Sequence, residues 1–136
     1  MADVTLVWTG DRLQFVGTTT YGDALLVGGD AEGPGAKPSD LLPLSLAACT
    51  AYDVVEILRK QRQDLHGLEV TVHSTQDPEP PWTFRAMHVR FVLTGTVDAT
   101  KAAKAVGLAE TKYCATAATL RSVVAITHEV VVVPQS

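Results

Sequence analysis

Cysteine is scarce in this chain of 136 residues: there are two, Cys49 and Cys114, and aromatic residues make up 6%. With no export signal in the opening "MADVTLVWTG", so few cysteines argue against a disulfide-stapled secreted scaffold. They point instead to thiols that work in a reducing compartment. Positive charge is scarce too. The net charge is −4 and no long basic run occurs, so the electrostatic footprint of a nucleic-acid binder is missing. No stretch approaches the roughly 18 uninterrupted apolar residues of a membrane span. The expectation is a soluble, cytoplasmic protein with neither nucleic acid nor membrane as partner.

Metal and phosphate motifs are lacking as well. His66, His73, His88 and His128 are scattered over a helix end and three strand-like segments, with no H-E-x-x-H and no C-x-x-C, so no metal site is expected. The glycines of "GGDAEGPG" are not followed by the lysine–serine pair or helix-opening pattern of a phosphate loop. Glu56 and Glu110 sit among polar neighbours and read as solvated helix faces.

What is present is 46% apolar content, enough for a real core, and the whole of 1–136 reads as a single domain. Val4, Leu6 and Trp8 alternate in strand fashion, "TGDR" supplies a turn, and further strands are expected around Leu13 to Val16 and Ala24 to Val27. The glycine- and proline-rich segment from Gly28 to Lys37 reads as an active or docking loop able to move over a site. From Ser39 to about Leu65 the apolar spacing predicts a long helix. Ser39 would be its N-cap, Pro43 lies in the first turn, Arg59, Lys60 and Arg62 stand near its end, and Gly67 is the stop. Its first half is apolar nearly all round and its end "RKQRQD" is polar, so it should cross the core and emerge into water.

Strand alternation returns at Leu68 to Ser74. The prolines of "QDPEPPW" mark the connection to a longer strand in which Met87, Val89, Phe91 and Leu93 share a face. Asp98 reads as the N-cap of an alanine-rich helix to about Ala109. A second helical piece is expected from Lys112 to Ser122, and "THEVVVV" closes the chain as a strand. The order of elements is α+β.

Periodicity alone does not bring Cys49 and Cys114 together, and a buried cysteine is often simply packed. The segment "KPSDLLPLSLAACTAYDVVEILRKQRQDL", followed much later by "AETKYCATAATL" with the strand "GLEVTV" and a proline-rich hairpin between, resembles the OsmC/Ohr family of peroxide-detoxifying proteins. The resemblance covers nearly the whole chain, and the continuation "DVVEILRKQR" is similar to the OsmC-like branch. It implies an α+β fold with a long central helix wrapped by antiparallel sheets in an intertwined homodimer. It also implies a thiol-dependent reduction of hydroperoxides, preferentially organic ones, that protects against oxidative stress and uses no metal, haem or flavin.

Carried onto this sequence, the resemblance makes Cys49 the attacking thiol and Cys114 the resolving one, with an external dithiol as reductant. Such chemistry needs an ionised sulfur and hence nearby positive charge or a helix N-terminus. In the family that charge is an arginine from the N-terminal sheet region, held by a glutamate directly after the proline. Arg12 in "TGDRLQF" is the only arginine before Arg59. The sequence departs from the pattern after Pro38, where Ser39 stands and the nearest carboxylate is Asp40. Two readings stay open: Asp40 replaces the glutamate, or Ser39 and Asp40 cap the helix. Leu42, Leu46 and Tyr52, within two turns of Cys49, are candidates for an apolar substrate wall, with Tyr52 also readable as core. The rival function is a dimeric binding or redox-sensing protein for a small hydrophobic ligand, favoured by the missing glutamate.

Overall fold

The computed structural model describes residues 3–29 and 35–135, so half of the proposed 28–37 loop, residues 30–34, lies outside the described residues. The chain divides into two compact units, one up to Leu42 and one from Pro43 onward.

In the first unit, β1 (Thr5–Trp8), β2 (Gln14–Thr18) and β3 (Ala24–Gly28) form an antiparallel meander in the order β1-β2-β3. The alternation anticipated these strands, and the register pairs Trp8 with Phe15 and Val16 with Leu26. Polar bonds tie down the β1–β2 turn: Thr9 N–H donates to the Gln14 carbonyl at 3.0 Å and Trp8 Nε1 donates to the Arg12 carbonyl at 2.9 Å. Gly28 has φ +83°, and a Cβ there would lie 2.2 Å from the Leu13 carbonyl oxygen, so β3 closes against the hairpin only because that residue has no side chain.

The second unit is built around α1 (Leu41–Lys60), β4 (Asp64–Gln76), β5 (Phe84–Thr96), α2 (Ala99–Leu108), α3 (Ala115–Leu120) and β6 (Ala125–Val133). Helix α1 differs from expectation at both ends. A 3-10 turn at Pro38–Asp40 precedes it, and the residue before that turn is Lys37, which makes no side-chain cap bond; Ser39 is therefore not the N-cap. At the other end Arg62 takes φ +56°, while Gln63 N–H donates back to the Leu58 carbonyl at 2.9 Å. The helix stops seven residues before Gly67 because a left-handed arginine supplies the reversal that glycine usually does. The chain from Asp64 is then captured by β5, with Asp64 opposite Thr96 and Leu65 opposite Gly95, and Gly67 sits inside β4.

β4 and β5 pair antiparallel through a connection that contains the prolines, as expected. There Arg85 Nε donates to Asp77 Oδ1 at 3.0 Å and its terminal nitrogen to Oδ2 at 2.7 Å, and this pairing lowers the Asp77 pKa. β6 pairs parallel with β5, the one non-antiparallel pairing between the described strands. The crossover between them is the segment carrying α2 and α3, the connection that parallel neighbours require.

Asp98 caps α2 as anticipated, its side chain accepting from Lys101 N–H at 3.0 Å. The second helical piece is not one helix: a π-helical turn at Ala109–Tyr113 comes first, Cys114 is extended, and α3 follows. The core lies where the anticipated face of β5 (Met87, Val89, Phe91, Leu93) meets Leu46, Val54 and Leu58 of α1 and Ala102, Ala105 and Val106 of α2. Small residues on α2 let the helix lie close against its neighbours.

Candidate active site

Two elements distant in sequence meet at the cysteines. Cys49 sits in the middle of α1, half-buried and packed against the core, and Cys114 is buried at the end of the π-helical turn; both are free thiols. The Cys49 side chain is near enough to Cys114 to raise its pKa.

The local cause is a widened turn. Cys114 N–H bonds to the Ala109 carbonyl at 2.8 Å, the wide-loop spacing of a π-helix. That extra residue ends α2 and swings Cys114 into extended backbone as the N-cap of α3, where its Sγ accepts from Ala117 N–H at 3.3 Å. One turn ahead of Cys49 the two helices are joined again, Ser45 Oγ lying 3.0 Å from Thr116 Oγ1. Ser45 and Cys49 share a helix face at the (i, i+4) spacing, so the stripe of α1 that carries Cys49 is the one that meets α3. Sequence reading missed Ser45 and Thr116, because a serine and a threonine in small-residue helices carry no signal until their partner is known.

The two thiols are not equivalent. Burial pushes Cys114 up to about 11; the neighbouring Cys49 thiol pushes the same way, and the Ala117 amide pulls down. Cys114 therefore holds its proton more tightly than an ordinary thiol.

Asp53 stands one turn beyond Cys49 on the same stripe. Burial, and secondarily the charge of Glu56, raises its pKa, and its Oδ2 is buried without a hydrogen-bond partner. A cavity of about 460 Å³ opens beside it, lined by Asp53, Glu56, Ile57, Lys60, Leu108 and Tyr113.

Glu110 is not the solvated residue its neighbours suggested. Its side chain is 12% exposed, and Oε2 meets His128 Nδ1 at 2.8 Å while Arg121 donates to its carbonyl at 2.7 Å. The pair ties the π-helical turn to β6, and a strand-borne histidine explains why sequence did not expose it. Glu56 is exposed and pairs with Lys60 at 3.2 Å. Among the described residues no group of three or more His, Cys, Asp and Glu is arranged to hold a metal ion.

The other anticipated site residues are placed as follows. Arg12, Ser39, Asp40 and Leu42 belong to the first unit. Arg12 occupies the β1–β2 turn with φ +50°. Ser39 and Asp40 form the 3-10 turn before α1, with Asp40 N–H bonded to the Lys37 carbonyl at 3.0 Å. Leu46 is wholly buried in the core, which makes it packing and not an open substrate wall. Tyr52 is 73% exposed and lines a groove of about 620 Å³ with Ala48, Val55 and Leu68, so it is not core either.

Comparison with known proteins places these features in a wider group. Residues 29–129 match the family model described as OsmC-like protein. Protein YhfA of Escherichia coli strain K12 is 34% identical over 124 residues, which is 90% of this chain and 92% of that one. Among solved structures, a hypothetical protein from Aquifex aeolicus VF5 aligns over 100% of this chain and 98% of its own with a TM-score of 0.89 at 23% identity. The organic hydroperoxide resistance protein OhrB of Bacillus subtilis aligns over 96% and 97% with a TM-score of 0.62, also at 23% identity; these two likenesses concern the fold.

Proposed function

The chain belongs to the OsmC-like protein family, and from that premise we propose that it is a thiol-dependent hydroperoxide reductase in which Cys49 attacks and Cys114 resolves. The observation that carries this reading is the nearness of the two thiols, Cys49 being among the groups that raise the Cys114 pKa. Two cysteines far apart in sequence are held as neighbours, and the less accessible one keeps its proton.

The roles follow from that asymmetry. Cys49, the more exposed thiol, attacks the outer peroxide oxygen as the thiolate. The O–O bond breaks, an S–O bond forms, and the departing alkoxide takes a proton to become an alcohol. The Cys114 sulfur then attacks the Cys49 sulfenic acid, an S–S bond forms, and water leaves with the thiol proton. An external dithiol restores both thiols by exchange through a mixed disulfide. Arg12 is assigned the assisting charge, because a guanidinium stays cationic at any working pH, and Asp40, the carboxylate nearest the position after Pro38, is its candidate partner. The reaction is assigned to the cytoplasm, where a dithiol reductant is at hand.

A homodimer is part of the proposal. Residues 38–60 are long and apolar enough by length and composition alone to cross a membrane, with a mean hydropathy of 1.6, yet only 22% of that window is buried within the chain. Leu44 and Tyr52 on α1, and Leu6, Val7 and Trp8 on β1, are more than half exposed. A second copy is the cover we assign to these surfaces, since apolar area left in water on this scale marks an interface.

The groove lined by Ala48, Tyr52, Val55 and Leu68 favours the second reading, a protein that holds a small hydrophobic ligand. One assay separates the two. Wild type and Cys49→Ser are mixed with cumene hydroperoxide and a dithiol, and peroxide loss is followed; rapid loss with wild type alone is expected. Equal, negligible loss with both would overturn the reductase and leave the ligand-binding reading.

A further inference from the structure

Asp53 is a carboxyl group with no structural use that the fold reveals. It interrupts the apolar stripe of α1, where an unpaired charge is costly. Other acids of the second unit have partners: Asp77 binds Arg85, Asp98 caps α2, Glu110 holds His128 and Glu56 pairs with Lys60. Asp53 Oδ2 is buried and receives no hydrogen bond.

Its position is more informative than its isolation. At (i, i+4) from Cys49, Asp53 is the next side chain along the same face, with Cβ atoms about 5–6 Å apart in a regular helix. It also lines the 460 Å³ cavity, together with Leu108 and Tyr113. Tyr113 directly precedes Cys114. The cavity is therefore lined by the two elements that carry the thiols.

We propose that Asp53 is a catalytic acid–base group of this site: it takes the proton of the Cys49 thiol and delivers it to the alkoxide leaving from a hydroperoxide whose organic part occupies the cavity. The proposal rests on the hydroperoxide-reductase reading. The balance is internal. The Cys49 S–H proton moves to the Asp53 carboxylate, the thiolate attacks the outer oxygen, the O–O bond breaks as the S–O bond forms, and the carboxylic acid protonates the alkoxide. The carboxylate is regenerated and the products are an alcohol and the Cys49 sulfenic acid. Moving the proton onto the carboxylate keeps a single negative charge on the pair, where losing it to solvent would leave two neighbouring anions, and burial and Glu56 hold Asp53 toward its protonated form. The other titratable groups on the elements around it are Glu56 and Lys60 of α1, paired with each other, Tyr113, beneath the Lys112 ammonium, and the two thiols.

The test is single-turnover oxidation of Cys49 by cumene hydroperoxide from acid to alkaline pH, for wild type, Asp53→Asn, Asp53→Glu and Cys49→Ser. Wild type should show a bell-shaped profile, declining at alkaline pH where thiol and carboxyl have both lost the proton that the alkoxide needs. Asp53→Asn should be slower by about 10²-fold at the wild-type optimum and should rise steadily with pH to a plateau, because only thiolate formation then limits it. Asp53→Glu, which keeps an acid, should restore the bell. Asp53→Ser, smaller and also without an acid, repeats the test should the asparagine variant not fold. An Asp53→Asn rate within about twofold of wild type overturns the proposal, and so does a slower rate with an unchanged bell, the mark of a merely structural role. Wild type no faster than Cys49→Ser overturns the reductase reading itself, and this proposal with it.

Discussion

At the scale of single residues, the difference between the two thiols has consequences in solution. Cys114 is 2% exposed and its pKa is raised from 9.0 to about 11, so iodoacetamide should modify Cys49 well before Cys114, and tryptic mass mapping reads the order. A thiol that holds its proton more tightly when folded stabilises the fold below about pH 9 and loses that contribution as pH rises toward about 11. The reduced wild type should therefore lose more thermal stability over that window than Cys114→Ala, a difference visible in paired melting curves. Removing the resolving thiol has a chemical signature as well. With one equivalent of hydroperoxide, Cys114→Ser should accumulate a Cys49 sulfenic acid that dimedone traps, whereas wild type should pass on to the disulfide.

At the scale of elements, helix ends and strand registers carry the site, and each has a residue that tests it. Asp98 accepts the Lys101 amide at 3.0 Å, so Asp98→Ala should cost about 0.5–2 kcal/mol, measured by urea unfolding. Gly95 lies at φ +140°, and a Cβ there would meet the Asp64 carbonyl oxygen at 2.2 Å. Gly95→Ala should cost at least about 1 kcal/mol by the same measurement, because both the backbone region and the space are closed to a side chain. These elements were legible to different degrees. The strand alternation of Met87, Val89, Phe91 and Leu93 matched the buried face of β5 because burial imposes a period of two. The end of α1 was not legible: the left-handed Arg62 is dictated by pairing of β4 with β5, a partner far along the chain. The π-helical turn before Cys114 escaped notice for a similar reason. "LAETKY" has ordinary helix formers throughout, and the widening is fixed by the Glu110–His128 contact across to β6 together with the bond from Arg121 in the following turn.

At the scale of the whole molecule, the uncovered apolar surface is the dominant feature. Leu44 and Tyr52, 56% and 73% exposed, lie two turns apart on one side of α1. Sedimentation equilibrium should give the mass of a dimer, and Leu44→Asp, which brings a charge to that surface, should shift the population toward the monomer. A monomeric wild type at micromolar concentration would refute the dimer. The same experiment bears on activity, since the dimer is assigned the two surfaces that one chain leaves bare.

The sequence by itself determined the elements and the family. Alternation marked the strands, Asp98 marked a cap, and the two cysteine-bearing segments marked the OsmC-like pattern, because local propensity and short motifs are properties of neighbours along the chain. Which residues would touch was decided only by the tertiary structure. Cys49 and Cys114 became neighbours, Ser45 found Thr116, Glu110 found His128, and Asp53 Oδ2 was left without a partner one turn from Cys49. None of these is encoded at a sequence spacing: each depends on where a helix, a widened turn and a sheet come to rest against one another.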